Sequence, residues 1–204
     1  MGSIVIGLTG GIGSGKSTVA EIIESYNYKV IKSDLNAKEI MQNDKSVIKK
    51  ITETIGELSY TDGKLNSKYI SSIVFANNVE NFENLQKLNQ IVHPVVIQKL
   101  MDEVQQLEAS GEKLIFVESA LIYEAELDEG FDYIIVVTSS KENVIERLTK
   151  SRNMTAEQIE SVMKTQISNE EKIGVADFVI DNNANLEKLK ESVDFIIAVL
   201  GGII

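Results

Sequence analysis

The chain has no cysteine, one histidine and one proline among its 204 residues. Without cysteine there is no disulfide and no thiol nucleophile, and a lone histidine leaves no His/Cys zinc set. No apolar run approaches the roughly 20 residues that a membrane-spanning helix needs. Repeats and low-complexity linkers are missing as well. Positive charge is scarce: 20 Lys and Arg stand against 31 Asp and Glu, for a net charge of −11. Such a surface repels the phosphates of a nucleic acid, so no nucleic-acid partner is expected. Any anionic substrate must then be held by a few locally placed basic groups. The chain moves straight into a strand pattern with no signal-peptide pattern before it, so a cytoplasmic protein with no membrane partner is expected.

What is present begins at Gly10. Residues 10–17 read Gly-Gly-Ile-Gly-Ser-Gly-Lys-Ser, a complete G-x-x-x-x-G-K-[ST] phosphate loop. Ser3 to Leu8 before it is a short β-branched run, as in a buried strand. After it, Val19, Ile22, Ile23 and Tyr26 recur at helical spacing. Strand, glycine-rich turn and helix are the three parts that phosphate binding requires. The glycines let backbone N–H groups close on phosphate oxygens, and the helix start adds its positive dipole end. The spacing assigns Gly11, Gly13, Ser14, Gly15, Lys16, Ser17 and Thr18 to ATP. Lys16 would reach the terminal phosphates, and the Ser17 hydroxyl would ligate Mg²⁺. The dinucleotide fingerprint G-x-G-x-x-G fails, because Lys16 stands where its third glycine belongs. The GTP-reading N-K-x-D signature is missing, which favours ATP.

Five strands are predicted, at Ile4–Leu8, Lys29–Ser33, Leu114–Glu118, Tyr133–Thr138 and Phe178–Asp181. Each is short, apolar and separated from the next by helical pattern. The fold class is therefore α/β, a five-stranded parallel sheet flanked by helices. The expected core is 1–44, 112–140 and 173–204. Residues 45–111 read as a helical insertion without a strand, a candidate substrate domain, with an amphipathic stretch from Val92 to Leu107. Residues 141–172 read as a helical lid, with a polar break at Ser151–Asn153. Capping boxes are predicted at Ser139/Glu142, Thr155/Gln158 and Ser168/Glu171, and Gly201-Gly202 should stop the last helix.

Four further positions carry candidate chemistry. Asp34 closes the second strand, and ligands of open α/β sheets bind beyond the carboxyl ends of strands. It could accept the proton of an attacking hydroxyl and help hold Mg²⁺, or it could simply cap a helix over 35–41. Glu118 closes an apolar strand in the manner of a Walker-B acid, with Glu124 a weaker candidate nearby. Arg147 and Arg152 flank the lid hinge, where guanidinium groups could stabilise a transferring phosphoryl group. Asn182 follows the last strand, where loops wrap the adenine of a bound nucleotide. His93-Pro94 is expected to be a fixed bend between helices, with His93 a structural hydrogen-bonder first and a substrate contact second.

With these residues in view, the chain resembles the dephospho-coenzyme A kinase family from Ile6 to about Leu189. The likeness rests on Gly7 to Thr18, on Val30-Ile31-Lys32-Ser33-Asp34 against V-I-D-A-D, and on His93-Pro94. It continues through Ala120-Leu121-Ile122-Tyr123-Glu124 against P-L-L-F-E, Arg147 to Gln166, and Ala176 to Asn182. Lys32 and Ala120 depart from the pattern. The resemblance implies a P-loop kinase core with a helical substrate domain and a lid. It also implies ATP- and Mg²⁺-dependent phosphorylation of the 3′-hydroxyl of dephospho-CoA, with Asp34 as base. The expected partner is that small molecule alone, with a monomer favoured. Alternatives are another small-molecule or nucleoside-monophosphate kinase, and, from a different class, a nucleotide-binding switch or interaction module.

Overall fold

The computed structural model describes residues 2–74 and 79–203. Seven strands and nine α-helices follow in order among them: β1 (Ile4–Thr9), α1 (Lys16–Ser25), β2 (Lys29–Lys32), α2 (Ser33–Asn43), α3 (Lys45–Ile55), β3 (Tyr60–Thr61), β4 (Lys64–Leu65), α4 (Ser67–Val74) and α5 (Val79–Ala109). Then come β5 (Leu114–Glu118), β6 (Tyr133–Thr138), α6 (Lys141–Arg152), α7 (Ala156–Met163), α8 (Asn169–Val175), β7 (Phe178–Asp181) and α9 (Leu186–Gly201). No described helix is long and apolar enough to cross a membrane. The chain divides into two compact units, residues 1–32 with 103–204, and residues 33–102.

The first unit is built on a five-stranded sheet of order β2-β5-β1-β6-β7, with every pairing parallel. Alternation along β1 explains its two faces. Ile6 and Leu8 are fully buried with Val19 and Ile23 of α1 and Leu189, Val193 and Ile196 of α9. Gly7 points to the other face, where a side chain would strike Ile122 and Phe131. β5 is buried at every position, as a central parallel strand must be.

The second unit has its own core. Ile40 of α2, Val47 and Ile51 of α3, Ile70 and Val74 of α4, and Leu88, Val92 and Val96 of α5 pack together. Asp44 caps α3 by accepting from the Ser46 and Val47 amides.

The sheet corresponds to the five expected strands, with local corrections. β1 runs on to Thr9, which pairs with Val136. β2 stops at Lys32, because its partner Glu118 is the last residue of β5. Ser33 and Asp34 therefore open α2, and Asp34 lies inside its first turn rather than capping a helix over 35–41. Residues 45–111 do contain strand: β3 and β4 form an antiparallel ribbon around Asp62-Gly63, both at positive φ. That is the geometry of a tight hairpin turn, and Asp-Gly is its sequence signal. His93-Pro94 is not a bend between helices but lies inside α5. The proline's bias on its predecessor is a preference, and burial of Leu88, Val92 and Val96 on one face of α5 overrides it. α6 is capped by Ser140, whose side chain accepts from Asn143 N–H, and not by Ser139. The helix break falls after Arg152, with Asn153 in the left-handed conformation. The Thr155/Gln158 and Ser168/Glu171 capping boxes form as expected, and Gly202 ends α9.

Candidate active site

The loop between β1 and α1 is shaped by three glycines at positive φ, Gly10, Gly13 and Gly15. All three are also pressed against neighbours, Gly13 against Val144 and Leu148 of α6. A Cβ at Gly10 would collide with the Val137 carbonyl, and one at Gly15 with the Asn182 amide. The loop closes on itself through Ser14 N–H to Gly11 O at 3.2 Å and Val19 N–H to Gly15 O at 3.0 Å. Lys16 is buried, with its ammonium 3.5 Å from Gly11 O. The Ser14 hydroxyl is buried without a hydrogen-bond partner among the described residues. A buried hydroxyl in that condition beside a cleft is primed for a polar ligand.

Ser17 lies in the first turn of α1, and its hydroxyl donates to Glu118 Oε1 at 2.7 Å. Glu118 itself is 6% exposed. The two residues singled out for metal thus meet, one from the helix after β1 and one from the neighbouring strand. Lys32 sits in register with Glu118 and gives its ammonium to Glu24 at 2.9 Å. That hydrogen bond, with the nearby acids Glu118 and Glu21 adding to it against a smaller desolvation, raises the Lys32 pKa and keeps it charged.

The far side of the loop is held by the end of β7. Asn182 Nδ2 donates to Ser14 O at 2.8 Å. The Asn182 carbonyl accepts from Arg147 at 2.7 Å and from the Ser139 hydroxyl at 3.2 Å. Arg147 also donates to Ser139 Oγ at 3.3 Å. Beside this lies a cleft of about 610 Å³, lined by Gly11, Ser14, Ser140, Lys141, Gln166 and Asn183 among others. That volume accommodates a small-molecule ligand of nucleotide size. Lys141 of α6 and Glu160 of α7 line it too and pair at 2.6 Å.

A loop of this form on a parallel sheet marks a nucleotide-binding P-loop fold, and relatives decide which kind. The dephospho-CoA kinase family model matches residues 4–188. The chain belongs to the dephospho-CoA kinase family. A dephospho-CoA kinase of Fusobacterium nucleatum is 40% identical over 195 residues, covering 95% of this chain and 97% of that one. One of Listeria monocytogenes is 34% identical over 92% of both chains. A crystal structure of a Thermus thermophilus protein superposes with a TM-score of 0.81 at 30% identity, over 98% of this chain and 99% of that one. The dephospho-CoA kinase of Campylobacter jejuni gives 0.61 at 26% identity, over 97% of each.

Within this dephospho-CoA kinase family member, the expected site residues are distributed unevenly. Lys16, Ser17, Thr18, Glu118, Arg147, Arg152 and Asn182 belong to the first unit, and Asp34 and His93 to the second. Arg152 is exposed at the end of α6. Burial holds the His93 imidazole below its ordinary pKa of 6.5, which keeps it neutral. Glu124, a weak candidate by sequence, accepts from Lys172 at 2.8 Å and from the Ile167 amide at 2.9 Å. Lys172 was not foreseen, since nothing in a short charged helix marks a lysine for full burial. Gln166 was foreseen only as part of the lid pattern, yet its Oε1 accepts from the Ile12 amide at 2.9 Å.

Proposed function

We propose that this chain transfers the γ-phosphoryl group of ATP to the ribose 3′-hydroxyl of dephospho-CoA, giving CoA and ADP. The observation that carries this reading is the complete phosphate loop in a chain whose likeness to dephospho-CoA kinases spans both units. ATP use follows from the loop; the acceptor follows from the family.

The roles divide by chemistry. Gly11, Gly13, Ser14, Gly15 and Thr18 frame the β- and γ-phosphates, and Lys16 brings its positive charge to them. Ser17 and Glu118 offer hard oxygen donors 2.7 Å apart, one of them anionic, which fits Mg²⁺. No group of three His, Cys, Asp or Glu side chains among the described residues could hold a metal by itself. The ion would therefore take its other ligands from phosphate and water, as Mg²⁺ ordinarily does. When bound, Mg²⁺ neutralises charge on the phosphate oxygens.

Asp34 follows β2 by two residues, beyond the carboxyl end of the strand, where it orients the acceptor hydroxyl and takes its proton. Residues 141–172 act as the lid. Arg147 keeps the wall beside Asn182 in place and turns its remaining N–H groups to the nucleotide, while Arg152 brings a guanidinium to the transferring group. Residues 45–111 supply the acceptor's site, with His93 contributing as a neutral hydrogen-bonding group. Catalysis is then mainly positioning and charge stabilisation. On this reading the enzyme is a monomer acting in the cytoplasm, where ATP is supplied.

The test is ADP release from ATP·Mg²⁺ with dephospho-CoA, AMP or adenosine as acceptor. Turnover confined to dephospho-CoA is expected. Turnover with AMP or adenosine instead would replace the acceptor, and tight ATP binding without turnover on any of them would point to a switch or binding module.

A further inference from the structure

Three segments of the first unit are tied together by one chain of polar contacts. Lys172, in α8, is 0% exposed, and its ammonium lies 2.8 Å from Glu124 Oε1 and 3.4 Å from Ala120 O. Glu124 and Ala120 belong to the loop after β5. The same Glu124 oxygen accepts the Ile167 amide at 2.9 Å. One residue earlier, Gln166 accepts the Ile12 amide of the phosphate loop at 2.9 Å.

The Ile12 N–H shares its peptide with the Gly11 carbonyl. A trans peptide is planar, so fixing the N–H fixes the carbonyl on the opposite edge. That carbonyl accepts from Ser14 N–H at 3.2 Å and lies 3.5 Å from the Lys16 ammonium. Gln166 therefore sets the plane of a peptide that both closes the loop and meets its lysine. The Gln166 side chain is only partly buried, and its own place is set by the neighbouring Ile167, pinned to Glu124.

We propose that Gln166 is a positioning residue for Lys16, acting through the Gly11–Ile12 peptide, and that the buried Lys172–Glu124 pair holds Gln166 in register. The inference rests on the kinase reading for its effect on turnover, but its structural half stands apart from the choice of acceptor. A cation buried against a carboxylate is costly unless paired, so the pair fixes one arrangement of α8 against the loop after β5. The fixed arrangement is then transmitted to the phosphate loop by a single carboxamide.

The test compares Gln166→Ala, Gln166→Glu, Lys172→Met and Lys172→Arg in the full chain. The first readout is hydrogen exchange at the Ile12 amide without nucleotide. The second is the split between KM for ATP and kcat. Loss of one hydrogen bond predicts roughly five- to ten-fold faster Ile12 exchange and a similar rise in KM for Gln166→Ala, with only a small fall in the thermal midpoint. Gln166→Glu keeps an acceptor oxygen and keeps the protection. Lys172→Met speeds Ile12 exchange although Gln166 is intact, and Lys172→Arg restores it. Wild-type Ile12 exchange in Gln166→Ala overturns the proposal, and that variant decides the matter if Lys172→Met fails to fold. Wild-type Ile12 exchange in a folded Lys172→Met overturns the role of the buried pair. Absence of turnover on dephospho-CoA in the unaltered chain would sink the acceptor assignment and leave the exchange result to judge the positioning role.

Discussion

The Ser17 hydroxyl donates to Glu118 Oε1 at 2.7 Å, joining the first turn of α1 to the last residue of β5. Both atoms are Mg²⁺ donors by type, and they are hydrogen-bonded to each other. Glu118→Gln should therefore raise the Mg²⁺ concentration for half-maximal turnover by roughly ten-fold, about the loss of one charge-assisted contact. ATP binding measured without Mg²⁺ should change little. A Mg²⁺ titration of activity checks this, and an unshifted midpoint would remove Glu118 from the metal site.

Asp34 enters the first turn of α2 directly after the sheet ladder ends. As the acceptor's base, its replacement by Asn should lower kcat by roughly 10²–10⁴-fold with ATP affinity nearly intact. Single-turnover kinetics beside nucleotide titration separates the two. Wild-type kcat in this variant would assign the carboxylate to its helix alone.

Asn182 is buried and gives its amide to the Ser14 carbonyl at 2.8 Å. Asn182→Ala leaves that carbonyl without its donor, a loss of about 1–3 kcal/mol of stability. KM for ATP should rise in parallel, because the amide also borders Gly15, where no Cβ fits. Urea unfolding and KM measured together test the link. A rise in KM with no loss of stability would mean that Asn182 meets the nucleotide directly and does not buttress the loop.

Burial depresses the His93 pKa below 6.5. The unfolded chain therefore takes up this proton first as pH falls. The contribution to stability is full above 6.5 and is lost as pH drops from there toward the folded value. The urea midpoint should fall as pH drops below 6.5, and His93→Gln should flatten that part of the profile. An identical slope in the variant would place the pH dependence elsewhere.

The sheet was legible because short β-branched runs between helical patterns admit one architecture, and three of its five strands begin and end where the pattern does. The edges of β1 and β2 were less so, since where a ladder stops depends on the length of the neighbouring strand. Asp62-Gly63 was a readable hairpin signal overlooked beside the helical pattern around it. Pro94 misled because its local effect is weaker than the packing of three aliphatic residues on one helix face. At the site, the phosphate loop was legible letter by letter. The Lys172–Glu124 pair was not, since it joins residues far apart in sequence and buries the residue type least often buried.

The strand order has a consequence for synthesis. β1 leaves the ribosome first, yet both its neighbours, β5 and β6, are encoded more than a hundred residues later. At roughly 5–20 residues per second, the central strand waits about 5–20 s with both edges unpaired. During that interval residues 33–102, with a core of their own, are the part of the nascent chain that can already condense. The inserted unit can therefore form before the sheet whose first strand precedes it in the chain.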